Sequence, residues 1–290
     1  MSMESIGEEP GPVGAEEIAS AQQLGRQVAL AITDAVEVRR DLLDLVLVCV
    51  AAEGHILIED LPGVGKTTLA RSVARAFDLQ FARVQCTADL LPADVVGVNV
   101  FNQREDRFEF RPGPIFANVV IVDEINRASP KTQSGLLECM QERRVTVDVH
   151  THELARPFVV LATQNPIEFE GTYPLPEAQV DRFMARVSMG YPSSAGEVAM
   201  LLDLAARDPV DDVRPAGAPD ELAAAVAAVL RVHVDPTLAA SFCTSSVSAW
   251  SRPSSAALAL AALRSMSPAR GLAPSSVRAS PRVDSSSATM

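Results

Sequence analysis

Lysine is almost missing from this chain of 290 residues: Lys66 and Lys131 are the only lysines among 25 basic side chains, the rest being arginine. Aromatic residues are scarce, with 1 Trp and 2 Tyr, so no aromatic platform indicates a ligand or client chemistry. An excess of positive charge is missing too. Acids outnumber bases 37 to 25, a net charge of −12, which argues against a dedicated nucleic-acid or anionic-membrane binder, since both need a basic face. The first ten residues, MSMESIGEEP, are acidic and hold no apolar stretch, which predicts that no signal peptide is present. The longest apolar run, Leu42 to Ala52, contains Asp44 and is too short to span a bilayer. The cysteines Cys49, Cys86, Cys139 and Cys243 form no CxxC pair and read as reduced thiols of a cytoplasmic protein. Nor do His55, His150, His152 and His233 show metal-ligand spacing with any cysteine. His150 and His152 alternate as on one face of a hairpin strand. A secreted or metal-stapled protein is excluded.

What is present comes in two compositions. Serine occurs 15 times in residues 241–290 and 9 times in residues 1–240, and the final 50 residues sum to +4. Before that break, 48% hydrophobic content overall is ample for a large core. Residues 1–20, acidic with Gly and Pro, read as a disordered leader. Helical spacing follows at Leu24, Val28, Ile32 and then Val36 to Val48. Short apolar strands are predicted at Ile56–Ile58, Phe81–Cys86, Val119–Val122, Phe158–Ala162 and Val187–Tyr191. Helices fit between them at Thr67–Phe77, Lys131–Gln141 and Glu177–Phe183. Such alternation predicts an α/β fold around a mostly parallel five-stranded sheet, spanning residues 21–192. Val98–Phe110 and Arg144–Leu154, where β-branched and polar residues alternate, read as hairpin insertions. From residue 193 the pattern becomes that of a small all-helical domain, over 195–206 and 219–233, with a third helix due near Thr237. That domain fades near residue 240, and 241–290 form a Ser/Ala/Arg-rich tail, read as an atypical lid or disorder.

The strongest local signal is Asp60-Leu61-Pro62-Gly63-Val64-Gly65-Lys66-Thr67-Thr68, between an apolar strand and a helix. Gly63 and Gly65 let the backbone bend so that its N–H groups surround phosphate oxygens at a helix N-terminus. Lys66 would reach the β- and γ-phosphates, and the Thr67 hydroxyl would ligate Mg²⁺. The usual glycine at the first position is replaced by Asp60. The lysine itself is telling: a chain that otherwise writes arginine uses a compact point charge here, where a planar fork would not fit. The second signal is a buried strand ending in Asp123-Glu124, which sets two carboxylates at the carboxyl edge of a parallel sheet. Asp123 could hold Mg²⁺ and Glu124 could polarise an attacking water.

Several stretches, in order over roughly residues 36–238, resemble the MoxR family of AAA+ ATPases. They are Gly54 to Thr68, Phe108 to Phe116 with its Arg-Pro-Gly-Pro string, Asp123 to Gln133, Ala162-Thr163-Gln164-Asn165-Pro166, and Gly171 to Gln179 followed by Asp181-Arg182-Phe183. Asp60 is a family habit on this resemblance. The resemblance implies ATP and Mg²⁺ as cofactors, Asn165 as the sensor 1 side chain beside the γ-phosphate, and Arg182 as an arginine finger acting on a neighbouring subunit. Arg127, Lys131 and Glu177 would be ring-interface residues, and the two hairpins would face the pore or the partner. It further implies a homo-oligomeric ring, commonly a hexamer, and a protein client, often with a von Willebrand factor A-type domain. The function expected is ATP hydrolysis with a chaperone-like role in assembling or activating partner complexes. An ATP-binding switch with little turnover, or a magnesium-chelatase-like subunit, are the alternatives. No nucleic-acid or membrane module is seen.

Two departures from the family stand out. Val38 occupies the place of the glycine near the adenine. The sensor 2 arginine of the lid is found neither at Ser254 to Leu260, which has the helix, nor at Ala279-Ser280-Pro281-Arg282, which has the string. The break near Ser241 predicts a frame-shifted or misread end in place of a native lid.

Overall fold

A computed structural model of the chain describes residues 13–60, 63–167, 171–190 and 208–233. Leu61, Pro62, the helix expected over 195–206, the third lid helix, Cys243, both sensor 2 fragments and the tail lie outside the described residues.

Apolar spacing and local stops set the elements. Helix α1 (Ala15–Thr33) buries Leu24, Val28, Ala29 and Ile32, and α2 (Arg40–Ala51) buries Leu42, Leu43, Val46 and Val50. The helix begins at Ala15, inside the stretch expected as leader, because Glu17 reaches back to the Gly14 amide and caps its first turn. Strand β1 (His55–Glu59) leads to α3 (Lys66–Ala76), and β2 (Phe81–Gln85) to a short α4 (Pro92–Val96). The hairpin of β3 (Gly97–Asn102) and β4 (Arg107–Pro112) precedes β5 (Val119–Asp123). Helix α5 (Pro130–Glu142) starts on Ser129, whose side chain accepts from the Thr132 amide, with Pro130 in the first turn. A second hairpin, β6 (Arg144–Val147) and β7 (His150–Glu153), runs into β8 (Val159–Gln164). Then come α6 (Glu177–Val180), β9 (Phe183–Val187) and α7 (Pro219–Leu230).

Five strands form one sheet in the order β2-β5-β8-β1-β9, every pair parallel. The three central strands are almost wholly buried, which is why they read as continuous apolar runs. One face of the sheet (Leu57, Val120, Val122, Val160) packs on Leu136, Leu137 and Met140 of α5. The fifth strand is earlier than its expected position. Phe183 and Ala185 face inward while Met184 and Arg186 are less buried, so the edge strand alternates where a run was sought, and Gly190 with φ +71° lies beyond it. The helix expected over Glu177–Phe183 accordingly shrinks to Glu177–Val180.

Residues 208–233 fall in one compact unit with the sheet. Arg71 pairs with Asp208 at 2.5 Å, Arg75 Nε donates to the Val213 carbonyl at 2.9 Å, and Arg231 pairs with Glu17.

One buried polar side chain ties the two central strands to α5. His55 accepts from the Val160 amide at Nδ1 and meets the Met140 carbonyl with Nε2 at 3.0 Å, an arrangement that fixes a neutral imidazole. Burial is the main cause that pushes His55 down from 6.5 to about 4, with Arg143 adding to it and the Met140 hydrogen bond opposing it. The unfolded chain therefore takes up a proton near pH 6.5 that the folded chain refuses until about 4. His55 thus contributes stability that is fully present above pH 6.5 and lost as pH falls toward 4, a loss of about 3 kcal/mol. Urea midpoints at pH 7.5 and 4.5 are expected to fall more steeply for the wild type than for His55→Gln.

Candidate nucleotide-binding site

The carboxyl ends of β1, β5 and β8 are neighbours in the sheet, and each delivers one part of the site. After β1 the chain turns through Gly63 and Gly65, with φ of +87° and +83°, conformations that disfavour any side chain. Gly65 then precedes α3 without any side-chain cap on the helix, so the first-turn amides are left to an anion. Lys66 Nζ donates to the Asp60 carbonyl at 2.9 Å. Burial pushes the Lys66 ammonium below its usual range, while Asp60, Asp123 and Glu124 oppose that and favour the charged form. The Asp60 carboxylate itself accepts from Ser188 Oγ at 2.9 Å and from the Met189 amide. It therefore fastens the loop beyond β9 and leaves its carbonyl to the lysine. Val64 is buried, and Thr67 and Thr68 are half-buried on the first turn of α3.

At the end of β5, Asp123 is buried and Glu124 adopts a left-handed conformation, φ +57°. Asp123 Oδ2 accepts from Arg83 Nε at 2.8 Å, and Oδ1 accepts from Thr163 Oγ1 at 3.3 Å. Glu124 Oε2 accepts from Gln85 Nε2 at 3.0 Å and pairs with Arg127 at 3.2 Å. Arg83 also donates to Gln85 Oε1 at 3.2 Å, closing a chain of contacts along the carboxyl end of β2. Arg127, expected at a ring interface, thus meets the acid of its own chain. At the end of β8, Asn165 is buried and its Oδ1 accepts from the Ile167 amide at 3.1 Å.

The sheet brings Lys66, Asp123, Glu124 and Asn165 to one edge. Arg182 is not among them. It directly precedes Phe183, which pairs with His55 at the amino end of β1. The length of β1, about 13 Å at 3.3 Å per residue, therefore separates it from the glycine turn. Arg182 is exposed, donates to Gln141, and borders a cavity of about 240 Å³ lined also by Ser134, Glu138 and Gln179.

Sequence reasoning gave no role to Arg83, Gln85 or Thr163. The alternation of Arg83 and Gln85 at the end of an apolar strand was the available signal. Their meeting with Asp123 and Glu124 needs β2 to lie beside β5, which only the sheet order supplies. Cys86 lies just beyond this strand, and burial with the two nearby acids pushes its thiol up to about 12.

A donor set of one lysine, a first-turn hydroxyl, a buried carboxylate and uncapped helix amides fits a magnesium–nucleoside triphosphate. The fold and this edge define a P-loop protein of the AAA+ class. Residues 55–185 match the model of the ATPase family associated with various cellular activities. An uncharacterized protein, YeaC, of Bacillus subtilis is 50% identical over 200 residues, covering 69% of this chain and 62% of its own length. Chaperone MoxR1 of Mycobacterium tuberculosis is 42% identical over 189 residues, covering 65% of this chain and 50% of its own. The crystal structure of a candidate ATPase from Cytophaga hutchinsonii superposes with a TM-score of 0.71 at 37% identity, covering 77% of this chain and 68% of that one. The chain belongs to the MoxR family of AAA+ ATPases. It spans between half and two thirds of the length of these two curated relatives.

Proposed function

We propose that this protein binds ATP with Mg²⁺ at the Lys66 edge of the sheet and hydrolyses it to ADP and phosphate. The observation that carries this reading is the convergence of Lys66, Asp123, Glu124 and Asn165 from three adjacent strand ends, beside an uncapped helix start. In this reading Lys66 holds the β- and γ-phosphates, Thr67 and Asp123 hold the metal, and Glu124 takes a proton from the attacking water. Asn165 orients that water. The backbone of Asp60 to Thr68 surrounds the phosphates.

Arg182 completes the site of a second copy. Its place at the opposite end of β1 supports this, since it cannot serve its own glycine turn. An arginine that acts in trans needs an assembly, and the form proposed is a closed ring, commonly six copies in this family.

The work done by hydrolysis is on a protein partner, in a chaperone-like role, with von Willebrand factor A-type domains as the clients to try first. Support comes from the two hairpins. Phe110 of β4 stacks on His152 of β7 with ring centroids 4.0 Å apart, and Asn99 donates to Asp148 at 2.6 Å. Phe101, Phe108 and Val149 stay exposed on these joined hairpins, an apolar surface suited to a protein chain. The buried thiols of Cys86 and Cys139 suit a cytoplasmic setting. Among the described residues no helix is long and apolar enough to cross a membrane.

A second reading, an ATP-binding switch with little turnover, draws on the contacts of Arg83, Gln85 and Arg127 to the two acids. Glu124→Gln separates the two. Loss of the base is expected to lower phosphate release by about 10²–10⁴-fold while ATP binding persists. Equal release by both proteins at equal concentration would favour the switch.

A further inference from the structure

A hydroxyl in a buried apolar strand needs partners for its polar atom. Thr163 stands in such a place: β8 reads Val-Val-Leu-Ala before it, and only 2% of its surface is exposed. Both partners it finds are the acid pair. Thr163 Oγ1 accepts the Glu124 amide at 3.0 Å and lies 3.3 Å from Asp123 Oδ1, to which it donates. The ladder between β5 and β8 stops at the pairing of Val122 with Ala162. Beyond it Glu124 turns left-handed, an uncommon state for a side chain of its size, and its amide leaves the sheet. The Thr163 hydroxyl takes over where the ladder ends.

We propose that Thr163 is a positioning residue for hydrolysis, one hydroxyl that sets both the metal-ligand face of Asp123 and the turn that aims Glu124. It touches neither nucleotide nor metal and acts only through the two acids. The proposal rests on the ATPase reading above.

Two variants separate positioning from packing. Thr163→Val keeps the branched shape and removes the hydroxyl, whereas Thr163→Ser keeps the hydroxyl and removes a methyl. Positioning predicts that Thr163→Val lowers kcat by roughly 10- to 100-fold, the effect of a lost buried hydrogen bond at a reacting centre. Its Kd for ATP should stay within about twofold, and Thr163→Ser should keep kcat within about threefold. Mere packing predicts the reverse order, with valine silent and serine impaired, and that result would overturn the proposal. Lys66→Ala serves as the inert control. Wild-type release no faster than this control would overturn the ATPase reading, whereas an active wild type matched by Thr163→Val would overturn the Thr163 proposal alone. Mn²⁺ titration by electron paramagnetic resonance, with a non-hydrolysable ATP analogue, reads the Asp123 arm without turnover. Weaker Mn²⁺ binding in Thr163→Val than in wild type and Thr163→Ser is expected, and equal binding in all three would contradict that arm.

Discussion

Lys66→Ala is expected to weaken ATP binding by roughly 100-fold and to abolish turnover, because an ammonium on phosphate contributes about 3 kcal/mol as a charge-assisted contact. The structure gives this side chain an unusual setting. Its ammonium is pulled from water, which lowers its proton affinity, and the charges of Asp60, Asp123 and Glu124 work against that loss. Its bond to the Asp60 carbonyl meanwhile holds Nζ across the mouth of the glycine turn. Removing it leaves an uncapped helix start as the principal anion attractor, worth about 1 kcal/mol at most in an open position. Titration with a fluorescent ATP analogue checks the first part, and phosphate release the second. Thermal stability without nucleotide should hardly move, since Lys66 is no part of the buried core.

Arg182→Ala is expected to lower kcat by about 10³-fold, the low end of the range for an arginine that meets a transferring phosphoryl group. The loss falls at the low end because Arg182 starts exposed, donating to Gln141, and must be moved into its place by assembly. ATP binding should be unchanged, because Arg182 and the glycine turn stand at opposite ends of β1. A loss of binding equal to that of Lys66→Ala would place Arg182 in its own chain's site instead.

The glycine turn and the Asp123-Glu124 pair were legible because each is a local event. A buried strand ends, the chain turns, and the chemistry sits within a few residues of the strand end. Asn165 was singled out by family resemblance, and its position at the end of β8 follows from the same strand-end logic. The last strand was misplaced because Phe183-Met184-Ala185-Arg186-Val187 is an edge strand paired with β1 alone, so half of its side chains look polar or flexible in sequence. The contacts of Arg83, Gln85 and Thr163 were hidden for a different reason. They join residues about 40 positions apart, and only the order β2-β5-β8 makes them neighbours. Arg127 shows the converse: its resemblance to an interface residue did not reveal its ion pair with Glu124. Asp208, Val213 and Arg231, on either side of α7, reach Arg71, Arg75 and Glu17, long-range pairs that composition cannot announce.

The central claim is a nucleotide site built by Lys66 in one copy and completed by Arg182 of the next. Phosphate release from a mixture of Lys66→Ala and Arg182→Ala tests it most directly. Lys66→Ala alone should be inert, and Arg182→Ala alone about 10³-fold slower than wild type. In the mixture, an intact Lys66 edge can sit against an intact Arg182, and the account predicts recovered turnover that rises with total protein. A mixture no more active than its two components would contradict it.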